Sequence, residues 1–246
     1  MSFESFKSGI SQIFSINSGL PTLQDEEIKK LYSLTEIMLE VNKSMNLTAI
    51  TEERSIILKH YADSLTVSAM IPKNAKVIDV GCGAGFPTLP LAIVRSDISI
   101  TALDGTAKRI EYVRSTAEKL GLTNVKAISA RAEELGNPNK PEYRESFDIA
   151  TARAVAALPV LSELCLPFVK VGGAFIAMKA AQAVNELSSA QNAIKLCGGT
   201  VSEAKEISLT PDGESFETRN LIFIKKIAKT PSIYPRHYSK ISKKPL

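Results

Sequence analysis

The chain has no tryptophan, only two histidines and only three cysteines among its 246 residues. Cys82, Cys165 and Cys197 contain no C-x-x-C pair and are odd in number, which argues against a disulfide framework or a zinc cage. With so few histidines, no metal is expected. No apolar run approaches the roughly 18 residues of a membrane span. The opening stretch lacks a charged region followed by an unbroken apolar block, so no secretory signal is expected. These absences point to a cytoplasmic protein working without metal or redox thiols. An apolar fraction of 44% and a charged fraction of 23% exclude a disordered or fibrous chain and leave room for one large or two small domains.

Charge is unevenly placed. The net charge is +4, yet residues 225–246 hold seven basic side chains (Lys225, Lys226, Lys229, Arg236, Lys240, Lys243, Lys244) and no carboxylate side chain. The rest carries 23 basic against 26 acidic residues, about −3. A basic tail on a mildly acidic body suits a polyanion, because Lys and Arg beside phosphates release counterions. Tyr234, His237 and Tyr238 add flat side chains able to stack on unpaired bases. A solvated terminus would explain the same lysines equally well.

Residues 22–45 read as an amphipathic helix opened by Thr22 and Asp25, with Ile28, Leu31, Met38, Val41 and Met45 at helical spacing. A second helix is expected from Thr51 to about Met70, stopped by Pro72. Strands then alternate with helices. Strands are expected at Val77–Val80, Ile98–Leu103, Val125–Ser129, Phe147–Ala152 and Ala174–Met178. Helices are expected at Pro87–Val94, Lys108–Leu120, Ala156–Val169 and Gln182–Leu196. Such alternation predicts an α/β fold with a mostly parallel sheet covered on both faces. Val201–Leu209 and Asn220–Ile227, joined by Thr-Pro-Asp-Gly, predict an antiparallel hairpin at the sheet edge. The expected organisation is a helical segment 1–70, an α/β domain 71–228 and a basic tail 229–246.

Asp79-Val80-Gly81-Cys82-Gly83-Ala84-Gly85-Phe86 follows a buried strand and precedes a helix. Glycines allow a tight turn and a close ligand approach, and a helix start favours an anionic group. A dinucleotide loop wants a third glycine where this chain has Phe86. S-adenosylmethionine instead presents an ammonium group and a carboxylate. Asp79 could fix the loop or hold the ammonium, and Asp104 at the second strand's end could accept from ribose hydroxyls. Loop, acids and hairpin together indicate a Rossmann-like class I methyltransferase using S-adenosylmethionine.

Further motifs narrow this. Asn46-Leu47-Thr48, His60-x-x-Asp63-Ser64, Asp79–Pro87, Arg131-Ala132-Glu133, Arg153-Ala154, Met178-Lys179, Tyr234-Pro235-Arg236 and Lys243-Lys244-Pro245-Leu246 cover nearly the whole chain. In these the chain resembles the RsmG (GidB) family of bacterial enzymes that methylate guanine N7 in the 530 loop of 16S ribosomal RNA, at position 527 of the usual RNA numbering. The resemblance implies a seven-stranded sheet and S-adenosylmethionine contacts from Gly81, Phe86, Asp104, Ala132, Glu133 and Arg153. Ala132 and Glu133 would lie beside the adenosine end and Arg153 near the pocket mouth, with Asp79 and Gly83 completing the cofactor set. The partner implied is 16S rRNA or the small ribosomal subunit, met by a monomer. The family usually has glycine where this chain has Thr88 and Ala180.

Guanine N7 carries an unprotonated lone pair, so methyl transfer is a direct displacement with no general base expected. Candidates for the RNA side are Asn46, His60, Asp63, Arg131, Lys179 and Arg236. His60 and Asp63 share a helix face and would serve equally as anchors for the helical front. Met45, Met70, Phe147 and Phe168 read as core, and Cys82 as a small side chain, not a nucleophile. Alternatives are methylation of another RNA or a small molecule, an NAD(P)-dependent oxidoreductase, and a non-enzymatic RNA assembly factor.

Overall fold

A helix not anticipated from the sequence opens the chain. In α1 (Phe3–Ile16), Ser2 Oγ accepts from the Ser5 N–H at 3.2 Å, and Phe6, Ile10 and Ile13 fall on one buried face. α2 (Asp25–Met45) starts after the expected Thr22, because the reciprocal cap forms two residues later: the Gln24 N–H donates to Glu27 Oε2 at 2.7 Å. Its last turn closes on Asn46, left-handed at φ 49°. The single helix expected from Thr51 to Met70 is divided. Glu52 caps α3 (Glu53–Ile56) by accepting from the N–H groups of Arg54 and Ser55. A π-helical turn (Ile57–Ala62), α4 (Asp63–Leu65) and a 3-10 turn (Ser68–Met70) follow. The computed structural model describes residues 2–180 and 186–246.

From Lys76 the chain alternates: β1 (Lys76–Val80), α5 (Thr88–Val94), β2 (Ser99–Asp104), α6 (Ala107–Lys119), β3 (Val125–Ser129), α7 (Ala132–Leu135), β4 (Phe147–Arg153), α8 (Leu158–Cys165), β5 (Val169–Ala180), α9 (Glu186–Leu196), β6 (Gly199–Leu209), β7 (Glu217–Lys226) and α10 (Tyr238–Lys243). The helix expected at Ala156–Val169 ends early: a 3-10 turn at Leu166–Phe168 contains Pro167, which has no N–H to continue an α-helix. Residues 182–185 of the expected Gln182–Leu196 helix lie outside the described residues.

The seven strands run in the order β3-β2-β1-β4-β5-β7-β6. The pairs from β3 to β5 are parallel, and β7 is antiparallel to both β5 and β6. This is the expected mostly parallel sheet with its hairpin, β6 forming the edge. The order reverses beside β1, and in such sheets the crevice at the strands' carboxyl ends is where ligands bind.

Alternation along the strands divides the apolar residues between two faces. Val77, Ile176 and Met178 join a core with the helical front, including Phe6, Leu31 and Tyr61. Ile78, Phe175, Ala177 and Ile224 join a second with α8, α9, Tyr234 and Ile241. The front therefore shares a core with the sheet, and the C-terminal segment is packed into the other. Phe147 and Phe168 meet edge to face at 6.3 Å within that second core.

Candidate active site

The turn after β1 is folded onto β2. The N–H groups of Gly81 and Cys82 both donate to the Leu103 carbonyl, at 2.7 and 3.0 Å, and the Gly83 N–H donates to Asp104 Oδ2 at 3.1 Å. Gly81 is required twice over: its φ is +78°, and a Cβ there would lie 2.6 Å from Val155 Cγ2. Asp104 Oδ1 also accepts from the Thr106 N–H at 2.8 Å, so one carboxylate ties the glycine turn to the start of α6.

Asp79 lies beneath the turn, 1% exposed. Thr88 Oγ1 donates to its Oδ2 at 2.7 Å and Thr151 Oγ1 to its Oδ1 at 3.2 Å. Burial pushes its carboxyl up to about 6, opposed by these hydroxyls and by Arg153. Of the two roles considered for Asp79, this geometry favours fixing the loop. Thr88 thus supplies a donor that a glycine there would lack.

Phe86 is stacked on His60, ring centres 4.3 Å apart and 7° from parallel, with the Arg153 guanidinium 5.5 Å from its centre. Thr48 Oγ1 lies 3.0 Å from His60 Nε2. Burial, aided by the Arg153 charge, pushes the imidazole down to about 3, so it is neutral at physiological pH. Arg153 donates from Nη1 to the Lys59 carbonyl at 2.8 Å and to Asp63 Oδ2 at 2.9 Å. Asp63 Oδ1 meets Arg219 Nε at 3.3 Å, and Arg219 Nη2 meets Glu217 Oε2 at 2.7 Å. Lys179 Nζ donates to the Ala156 carbonyl and pairs with Glu186, both at 2.9 Å.

Three neighbouring spaces with shared wall residues surround these groups. The first lies against Gly81, Asp104, Gly105, Ala132, Glu133 and Tyr238. The second is lined by Thr48, His60, Gly81, Gly83, Phe86 and Asp104. The third, of about 740 Å³, is lined by Lys59, His60, Asp63, Arg153, Lys179 and Arg219 among others. Gly81, Asp104, Arg109 and Val155 border both of the first two, and His60, Arg153, Ala154 and Val155 border both of the last two. Ala154, at φ +56°, turns the chain at that seam.

Of the expected cofactor residues, Gly81, Gly83, Phe86, Asp104, Ala132, Glu133 and Arg153 line the first two spaces, whereas Asp79 lies below them. Of the expected RNA residues, His60, Asp63 and Lys179 line the third. Arg131 borders the first space instead, its guanidinium 5.8 Å from the Tyr238 ring. Asn46 is an exposed helix end. Arg236 is not free for a phosphate, since its guanidinium is paired with the fully buried Glu163 at 2.7 Å. The tail expected to face RNA is also partly internal: Tyr234 is buried and Lys226 is fully buried, its Nζ donating to the Leu166 carbonyl at 2.7 Å. Sequence reasoning missed Thr48, Lys59, Arg109, Val155, Arg219 and the position of Tyr238 beside Asp104 and Glu133. All three cysteines are buried, and burial holds the Cys82 thiol well above its ordinary value. Among the described residues no group of three or more His, Cys, Asp or Glu could hold a metal ion, and no helix is long and apolar enough to cross a membrane.

The family model for rRNA small subunit methyltransferase G matches residues 27–214. The chain belongs to that family. A protein of Acetivibrio thermocellus named ribosomal RNA small subunit methyltransferase G is 45% identical over 225 residues, 91% of this chain and 90% of that one. A protein of the same name from Listeria monocytogenes is 45% identical over 226 residues, covering 91% and 93%. Among solved structures, an O-methyltransferase from Bacillus cereus in complex with SAH superposes at TM-score 0.57 with 17% identity, covering 91% of this chain and all of that one. The [4+2]-cyclase SpnF superposes at 0.52 with 16% identity, covering 86% and 100%. These two likenesses give the fold alone, that of class I methyltransferases, with the helical front added. The rRNA small subunit methyltransferase G family is thus built here on a glycine turn, a buried acid and a cationic recess meeting at Arg153–Val155.

Proposed function

We propose that this protein transfers a methyl group from S-adenosylmethionine to guanine N7 in the 530 loop of 16S rRNA. The observation that carries the reading is the seam: a cleft formed by the glycine turn and a recess lined by cations share one wall, His60 and Arg153–Val155. The donor cleft fits an adenosyl ligand. Gly81 lets Val155 pack close against the turn that floors the cleft, and the Asp104 carboxylate borders both parts of the cleft, where ribose hydroxyls need an acceptor.

When bound, S-adenosylmethionine supplies a methyl carbon on a sulfonium. The chain's own residues then have three tasks. Lys59, Arg153, Lys179 and Arg219 are paired with only three carboxylates, Asp63, Glu186 and Glu217, and this one-charge excess favours an RNA strand electrostatically. Phe86 and Arg153, fixed by His60, Asp63 and the Lys59 carbonyl, set the wall between donor and acceptor, and positioning is the main catalytic contribution open to this site. Among the described residues, none that lines the recess is poised to take a proton. Asp63 and Glu186 are held by Arg153, Arg219 and Lys179, and His60 is a very weak base. A guanine N7 acceptor needs no deprotonation, which matches this set of groups. The target base must be unpaired or flipped to enter.

The test is transfer of labelled methyl to small subunits and to naked 16S rRNA from cells lacking the protein, followed by mapping of the label. A single 7-methylguanine in the 530 loop is expected. Label on another atom, another RNA or only a small acceptor would overturn the assignment.

A further inference from the structure

Residues 229–246 have the composition of an RNA arm, yet the structure ties them to the body. The Arg236 N–H and Nε donate to Glu163 Oε1 at 2.8 and 2.9 Å, and its Nη2 donates to Oε2 at 2.7 Å. Glu163 is fully buried on α8. Arg144 donates to the carbonyls of Thr230 and Tyr234 at 2.8 and 2.9 Å. Tyr234 and Ile241 are buried in the second core. Between these anchors the side chain of Tyr238 stays outside that core, 38% exposed. It borders the same space as Asp104, Ala132 and Glu133, with the Arg131 guanidinium 5.8 Å from its ring centre. An aromatic ring held this way offers a stacking surface to a nucleobase.

We infer that Tyr238 is the aromatic wall of the adenosine end of the donor cleft, which makes segment 229–246 a component of the cofactor site. The inference rests on the donor reading given above. The Arg236–Glu163 pair positions the wall, two residues before it, and Arg131 braces the ring.

Calorimetric titration of the full-length protein with S-adenosylhomocysteine tests it without turnover. Tyr238→Ala is expected to raise Kd about tenfold or more, the scale of one base–aromatic stack, while Tyr238→Phe stays within about twofold. The same loss is expected for 5′-methylthioadenosine, which keeps the adenosine and lacks the amino-acid end. Unchanged Kd in Tyr238→Ala, a loss confined to S-adenosylhomocysteine, or a loss seen only in salt-dependent RNA binding would each overturn the wall. No binding by the unaltered protein would instead overturn the donor reading and the wall with it, and that result is distinguishable because it precedes any variant.

Discussion

Replacing Thr88 by valine keeps the side chain's shape and deletes the hydroxyl that donates to Asp79 Oδ2 at 2.7 Å. The folded protein holds the Asp79 proton more tightly than an unfolded chain, at about 6 against the ordinary 3.8. The stability this proton contributes is complete below about 3.8 and is lost as pH rises through about 6. At about 1.4 kcal/mol for each pH unit, the interval corresponds to about 3 kcal/mol. Wild-type stability should therefore carry a component that declines across this window.

The Thr88 hydroxyl opposes that decline, because it favours the ionised carboxylate. Above pH 7 its loss removes a hydrogen bond to a buried charge, worth about 2–3 kcal/mol. At pH 5 the folded-state carboxyl is mostly protonated, and the loss is that of a neutral hydrogen bond, about 1 kcal/mol. Urea unfolding of wild type and Thr88→Val at pH 5 and pH 8, at matched ionic strength, gives the two differences. Other titrating groups cancel between the variants. A larger loss at pH 8 is expected, and equal losses at both pH values would refute the claim that Thr88 acts on the Asp79 charge.

Gly81→Ala places a methyl 2.6 Å from Val155 Cγ2 at a φ of +78°, and should cost about 1–3 kcal/mol while weakening S-adenosylhomocysteine binding, measured by thermal unfolding and calorimetry. Arg236→Ala leaves the Glu163 carboxylate buried and unpaired, and should destabilise by about 3 kcal/mol with the salt slope of RNA binding unchanged. With His60 held near 3 and no free base among the described residues of the recess, single-turnover methyl transfer should be flat from about pH 7 to 8.5, above the Asp79 ionisation; a rise tracking one ionisation in that range would reveal a base.

What was legible in the sequence was local. The short apolar strand runs, the glycine turn and the Thr-Pro-Asp-Gly hairpin depend on neighbours within a few residues, and each falls in its element, although β5 starts five and β7 three residues before the expected position. Arg219 was invisible because it reaches the recess only through the antiparallel pairing of β7 with β5, where it stands opposite Ala180. Tyr238 needed contacts to an element over a hundred residues earlier, at Arg131. The α1 helix carried a usable signal in Phe6, Ile10 and Ile13, and a reading confined to the absence of a signal peptide passed over it. The tail misled for a different reason. Composition counts charges without saying which are enclosed, and Lys226 and Arg236 are held by Glu145 and Glu163.

The same distinction bears on how the two halves of the site are coupled. In a strand, residues 153 and 155 would face the same side. Ala154 at φ +56° ends β4 instead, leaving Arg153 toward Asp63 and Phe86 while Val155 packs against the bare Cα of Gly81. A non-glycine residue in that conformation costs on the order of 1 kcal/mol and persists only where its surroundings hold it. Here the holding groups are Asp63 on the helical front, Gly81 in the glycine turn, and Lys179, which clasps the Ala156 carbonyl from β5. The glycine-turn cleft and the cationic recess thus depend on one strained corner, so a change on either side that releases Ala154 disturbs both.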